Sequence, residues 1–86
     1  MTTTSTLSGR ARAILRAVAA GGAELALGVE PDLFLDGRCC CDQPAVHRLV
    51  RTGYIASAAL GLVGQRVAAA LTPAGRVALG SAPLAA

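Results

Sequence analysis

The residues of this chain that are most able to do chemistry lie together in the middle of the sequence: Cys39, Cys40, Cys41 and His47. Thiolate and imidazole groups are the usual ligands of zinc, and a thiol beside a cation such as Arg38 ionises more easily. Three adjacent residues cannot easily point at one ion, however, and the sequence has no Cys-x-x-Cys pair. We therefore predict no metal and no other cofactor. A thiol or metal sensor built on the cysteines stays as an alternative.

Other kinds of catalytic site are also poorly supported. A nucleophilic pair of Cys41 and His47 would have to meet across the start of a helix, and no acid or oxyanion site is evident beside them. The segment Gly61-Leu62-Val63-Gly64 lacks the length and the lysine of a phosphate-binding loop. A chain of 86 residues buries one modest core and leaves little for a roofed substrate cleft. We predict that the protein is not an enzyme.

Charge is distributed unevenly along the chain. All 5 acidic residues fall between positions 24 and 42, where Arg38 is the one cation, and the other arginines lie outside that window. The pattern predicts one acidic surface and one that attracts polyanions. The chain has no lysine and is rich in alanine and glycine, a composition typical of a high-GC bacterial genome.

The first half of the chain predicts a helix followed by strands. Ser8 is a suitable N-cap, Ala11, Ile14, Leu15 and Val18 recur at helical spacing, and Gly21-Gly22 ends the helix. Residues 24 to 29 alternate with the period of a strand. A second extended piece, Leu33 to Leu35, enters a turn at Asp36-Gly37, and Arg38 to Cys41 return. The same residues are also compatible with a short helical turn over Pro31 to Phe34.

The second half predicts a helix, a hairpin and a short helix. Asp42 or Gln43 caps the helix, Pro44 stands in its first turn and Gly53 stops it. Val46, Leu49 and Val50 form its apolar stripe, whereas His47, Arg48 and Arg51 collect on the opposite face. Tyr54 to Leu60 and Gln65 to Leu71 predict two strands joined by the glycine-bounded loop, and a helix from Pro73 to Leu79 follows the Thr72 cap.

Two segments carry a resemblance to a known family. Leu49-Val50-Arg51-Thr52-Gly53-Tyr54-Ile55 looks like a recognition helix leading into a wing strand, and Leu71-Thr72-Pro73-Ala74-Gly75-Arg76 looks like the end of the wing. From Asp42 to Leu79 the chain resembles winged-helix transcription regulators of the MarR-like kind. The resemblance implies an α+β, winged-helix-like fold and a role in DNA binding or transcription regulation.

The residues that the resemblance would place on double-stranded DNA are His47, Arg48 and Arg51 in the major groove and Arg66 on the wing. Arginine reads guanine edges or neutralises phosphate. Such regulators pack another helix ahead of the recognition helix, and residues 24 to 41 are acidic and extended instead. A protein that kept the wing without that helix could use the frame as a protein-interaction or dimerisation adaptor, which is the alternative function.

Composition suggests how the chain is organised. We predict an arm over residues 1 to 7, one domain over 8 to 80 and a loose tail over 81 to 86. The chain is 53% apolar but only 2% aromatic, so small side chains must build the core. Some apolar surface is then left for a partner, and we predict that this partner is a second copy in a homodimer.

The longest uncharged run, 52 to 65, is too short for the roughly 20 residues of a membrane span. With no signal sequence evident either, we predict a cytoplasmic protein with no membrane partner.

Overall fold

The computed structural model describes residues 7–80, and it has three helices and five short strands. In chain order they are α1 (Gly9–Ala19), β1 (Ala23–Ala26), β2 (Asp32–Leu35), β3 (Arg38–Cys39), α2 (Gln43–Thr52), β4 (Ile55–Ser57), β5 (Arg66–Leu71) and α3 (Pro73–Leu79). The predicted α+β class is confirmed.

Each helix begins at a side chain that accepts a hydrogen bond from the free amides of the first turn. Ser8 Oγ accepts from the Ala11 amide at 3.0 Å, and Asp42 Oδ1 accepts from the Ala45 amide at 3.1 Å. Thr72 caps α3 in the same way. Gly53, with φ of 90°, ends α2 in the left-handed conformation that glycine adopts without strain. The predicted caps of all three helices are confirmed.

The five strands form one antiparallel sheet in the order β3-β2-β1-β5-β4. The central strand β1 pairs with β2 on one side and with β5 on the other. At one end of the sheet, Ala26 is paired with both Asp32 and Arg66, and at the other end Ala23 is paired with Leu35. The loops that follow Ala26 and precede Arg66 therefore leave the sheet at the same end.

The core lies between the helices and one face of the sheet. Its least exposed members are Leu15 of α1, Leu25 of β1, Leu33 of β2, Val46 of α2 and Ile55 of β4. Because these are aliphatic side chains of moderate size, each removes only a modest apolar area from water. Many aliphatic contacts, and no large aromatic side chain among the buried residues described, hold the helices to the sheet.

Three predicted strands are at least two residues shorter in the structure. The strand predicted over 24 to 29 ends at Ala26, and Val29 is 99% exposed. The strand predicted over Tyr54 to Leu60 covers only Ile55–Ser57, because the chain then turns away from β5 in a loop where Gln65 Oε1 accepts from the Leu62 amide. The strand predicted over Arg38 to Cys41 ends at Cys39. The alternative helical turn over Pro31 to Phe34 is wrong, since β2 begins at Asp32.

The predicted arm and tail lie outside the described residues, except that Leu7 is half-buried and packs against the core. Within residues 7–80, no helix has the length and apolar character needed to cross a bilayer. The predicted division into arm, domain and tail stays a prediction.

Replacing Gly75 with alanine should destabilise the protein by about 1–3 kcal/mol, because a β-carbon there would collide with the carbonyl oxygen of Tyr54. Gly9→Ala is the matched control, since a β-carbon at the start of α1 meets nothing within 4 Å. We expect the control to leave stability unchanged or raise it slightly. Urea denaturation followed by circular dichroism measures both, and equal stability of the two variants would contradict the close approach of α3 to Tyr54.

Candidate functional site

A single side-chain amide fixes the start of α2 against the sheet. Gln43 Oε1 accepts from the Leu33 amide at 2.9 Å, and its Nε2 donates to the carbonyl oxygens of Leu33 (3.0 Å) and Cys40 (2.8 Å). The side chain thus pairs with the Leu33 peptide at the edge of β2, where the Leu33 carbonyl also accepts from the Cys40 amide at 2.9 Å. The sequence predicts Gln43 only as a possible helix cap, and its role as the link between α2 and β2 is missed.

The outward side of α2 is where the DNA-contacting residues are predicted, and acidic side chains from the β1–β2 loop and β2 reach it. His47 Nε2 lies 2.9 Å from Asp32 Oδ1, and His47 Nδ1 lies 3.7 Å from Glu30 Oε1. One turn further on, Arg51 Nη1 donates to Glu30 Oε2 at 2.8 Å. His47 is only 19% exposed as a result. The structure therefore brings His47 and Arg51 together, but both of them contact acidic side chains of the same cluster.

The other two predicted contacts lie apart from this cluster. Arg48 is exposed and lines a groove of about 290 Å³ between α1 and α2, together with Ser8 and Tyr54. The Arg66 guanidinium lies over the Phe34 ring, 4.2 Å from its centroid, on the sheet face opposite the core. The four residues are thus divided among three environments. The prediction that they contact DNA stays a prediction.

The cysteines are separated from the histidine. Cys39 and Cys41 are exposed free thiols, Cys40 is half-buried, and Gln43 Nε2 lies 3.1 Å from Cys39 Sγ. Among residues 7–80, no group of three or more histidine, cysteine, aspartate and glutamate side chains is arranged to hold a metal ion. His47 contacts Asp32 and Glu30 instead of the thiols. A sensor that combines the cysteines with His47 does not fit this arrangement.

The most unusual surface of the molecule is at the end of the sheet from which the β1–β2 and β4–β5 loops leave. Four large aliphatic side chains there are almost fully exposed: Val29 at 99%, Leu60 at 97%, Leu62 at 78% and Val63 at 87%. We call these four residues the apolar tip. No charged residue occurs in the sequence from 56 to 64. The signal for this surface is present in the sequence as a glycine-bounded apolar loop, but that pattern predicts only a hairpin connection.

Backbone hydrogen bonds join the two loops that carry the apolar tip. The Leu27 amide donates to Gln65 O at 2.9 Å, and Leu27 O accepts from the Gly64 amide at 2.8 Å. Gly61 lies against the Leu27 side chain, where a β-carbon would come within 3.0 Å of its Cδ1. The two loops that carry the tip are therefore tied to each other, and Glu30 follows Val29 of the tip in the chain.

Removing the Gln43 amide should loosen α2 from the sheet. We expect Gln43→Ala to lower the free energy of unfolding by about 1–3 kcal/mol, because the part-buried Leu33 amide loses the acceptor it has in Gln43 Oε1. Arg48→Ala, on an exposed part of the same helix, is the control and should change stability by less than about 0.5 kcal/mol. Thermal and urea unfolding measure both, and an unaffected Gln43→Ala protein would show that packing alone positions α2.

Comparison with protein-family models, curated proteins and solved structures finds no match to this chain. Its own surfaces are therefore the basis for assigning a function. Two of them differ from an ordinary solvated exterior: the mixed-charge side of α2 around His47, and the apolar tip.

Proposed function

We propose that this chain is a non-catalytic protein-interaction module that binds a partner protein through the apolar tip. The observation that carries the proposal is the exposure of four large aliphatic side chains on two loops tied together by backbone hydrogen bonds. Exposed apolar patches of more than about a few hundred Å² on a small protein usually mark an interaction site.

The charges beside the tip favour protein over nucleic acid as the partner. DNA would have to approach α2 past Glu30 and Asp32, and their carboxylates repel phosphate. Arg51 already donates to Glu30, so a phosphate would have to compete for it. An aliphatic surface bordered by one acid and one base is typical of a protein interface, whose centre is apolar and whose rim is polar.

DNA binding is the second candidate, and the chain topology favours it. We interpret the fold as winged-helix-like, with α2 in the position of a recognition helix and β4–β5 as the wing, because β1 lies beside β5 and α2 leads directly into β4. Arg48 and Arg51 are exposed on α2. In this interpretation the β2–β3 hairpin takes the place of the helix that precedes a recognition helix.

A photo-reactive amino acid placed at position 62 should form a covalent adduct with a partner protein in cells that make the protein naturally. Val77 is the matched control position, because it is aliphatic and 76% exposed on α3 whereas Leu62 is 78% exposed on the tip. We expect a discrete adduct from position 62 that mass spectrometry identifies, and loss of that adduct when Leu60→Asp is added. Equal labelling from the two positions would overturn the proposed role of the tip.

Binding to a mixed pool of duplex DNA over a salt series tests the second candidate. If α2 binds DNA, the affinity should fall steeply as salt rises. Arg48→Ala/Arg51→Ala should then weaken binding and reduce the salt slope by about 2, since each arginine that neutralises a phosphate contributes roughly one to the slope. If binding through the tip is the whole function, the wild-type protein should show no DNA binding at low salt. Arg16→Ala/Arg38→Ala, which removes two exposed arginines outside α2, serves as the charge-matched control.

A further inference from the structure

We propose that the partner of the apolar tip is a second copy of this chain, which receives the tip in a groove beside α1. This inference rests on the proposed function of the tip and names its occupant. The groove has a volume of about 290 Å³ and is lined mainly by Ala13, Ile14, Leu35, Cys40 and Cys41. That volume is at the lower limit for small-molecule pockets, and it suits a few aliphatic side chains.

The groove and the tip lie at opposite ends of the sheet. Leu35, which lines the groove, is paired with Ala23, whereas the loops that carry the tip leave the sheet beyond Ala26 and before Arg66. One copy therefore cannot place its own tip in its own groove. Two copies can form this contact when the tip end of one sheet meets the groove end of the other.

The charges at the two surfaces are complementary. Beside the tip, Glu30 forms an ion pair with Arg51 at 2.8 Å, and beside the groove Arg10 forms one with Asp42 at 3.5 Å. The Glu30 and Arg10 side chains are 53% and 66% exposed, so both remain accessible. When the tip enters the groove, Glu30 of one copy faces Arg10 of the next, and Arg51 faces Asp42. Each of the two surfaces therefore presents one acidic and one basic side chain that can pair with the opposite charge on the other copy.

A contact between two different surfaces is heterologous, so it differs from the two-fold homodimer that composition suggests. Each copy in such a contact keeps one tip or one groove free, and further copies can add until a ring closes or the chain of copies ends. The apolar surface is then covered in every copy except at the ends of an open assembly. This arrangement explains why a chain with a modest core keeps four large aliphatic side chains outside it.

Sedimentation equilibrium of two blocked variants, alone and mixed, tests the contact directly. Leu60→Asp/Leu62→Asp blocks the tip, and Ala13→Glu places a charge in the groove at an exposed helical position. We expect each variant to lower the self-association constant by roughly tenfold or more, because the tip variant loses buried aliphatic area and the groove variant would bury a charge. An equimolar mixture should form a one-to-one complex, because one variant retains an intact groove and the other an intact tip.

Matched controls separate this effect from a general effect of added charge. Val77→Asp adds an acid at an exposed aliphatic residue outside the tip, and Ala19→Glu adds one on α1 outside the groove. Both should associate like the wild-type protein. Circular dichroism checks that every variant is folded.

A charge exchange gives a second test that needs no change in the apolar surfaces. Arg10→Glu should weaken self-association, and adding Glu30→Arg in the same chain should restore it, because the reversed pair again attracts between copies. If Ala13→Glu fails to fold, the charge exchange still measures whether the groove contributes to self-association.

Three outcomes would overturn the inference. They are a wild-type protein that stays at the monomer mass of 8.6 kDa at all concentrations, a groove variant that associates like the wild type, and a mixture of blocked variants that forms no complex. If the protein is monomeric but position 62 still labels another protein, the inference fails and the proposed function stands. If position 62 labels nothing and the protein is monomeric, both fail.

Discussion

The pairing of β1 with β2 on one edge and with β5 on the other is the interaction that organises the whole fold. It joins the three-stranded β1–β2–β3 meander to the β4–β5 hairpin, and a two-stranded ribbon such as β4–β5 is marginal at best in water on its own. It also gives Leu25 a place in the core, at 1% exposure. The loops at one end of these strands are thereby brought together to form the apolar tip.

The same pairing determines the character of α2. Because β2 lies beside β1, its first residue Asp32 and the preceding Glu30 come up against the outward side of the helix. Gln43 then holds the helix to the edge of β2 through two hydrogen bonds with Leu33 and to the end of the β2–β3 hairpin through one with Cys40. A helix that would otherwise present a basic face presents mixed charges instead, and the carboxylates weaken its attraction for phosphate.

Aliphatic residues of small and moderate size form the core, and this limits what the fold can cover. The chain is 53% apolar, yet the layers of helix and sheet enclose only the residues that point inward from short strands. Leu60, Leu62 and Val63 lie beyond the last residue of β4, where no described element packs against them. Their exposure is an energetic cost to an isolated copy, and association with a second copy would remove it.

Features that depend on neighbours within about one helical turn could be predicted from the sequence alone. Ser8, Asp42 and Thr72 start the helices because a capping side chain bonds to an amide three residues ahead, and Gly53 ends α2 because glycine adopts positive φ without strain. The apolar stripes of α1 and α2 follow from helical spacing in the same way.

Contacts between distant parts of the chain could not be predicted in this way. Glu30 pairs with Arg51, 21 residues away, and Asp32 meets His47, 15 residues away. The end of β1 at Ala26, before the end that the alternation predicts, is another feature that depends on distant parts of the chain. These outcomes depend on which strands pair and in what register, and a one-residue shift in register would turn every side chain of a strand to the opposite face.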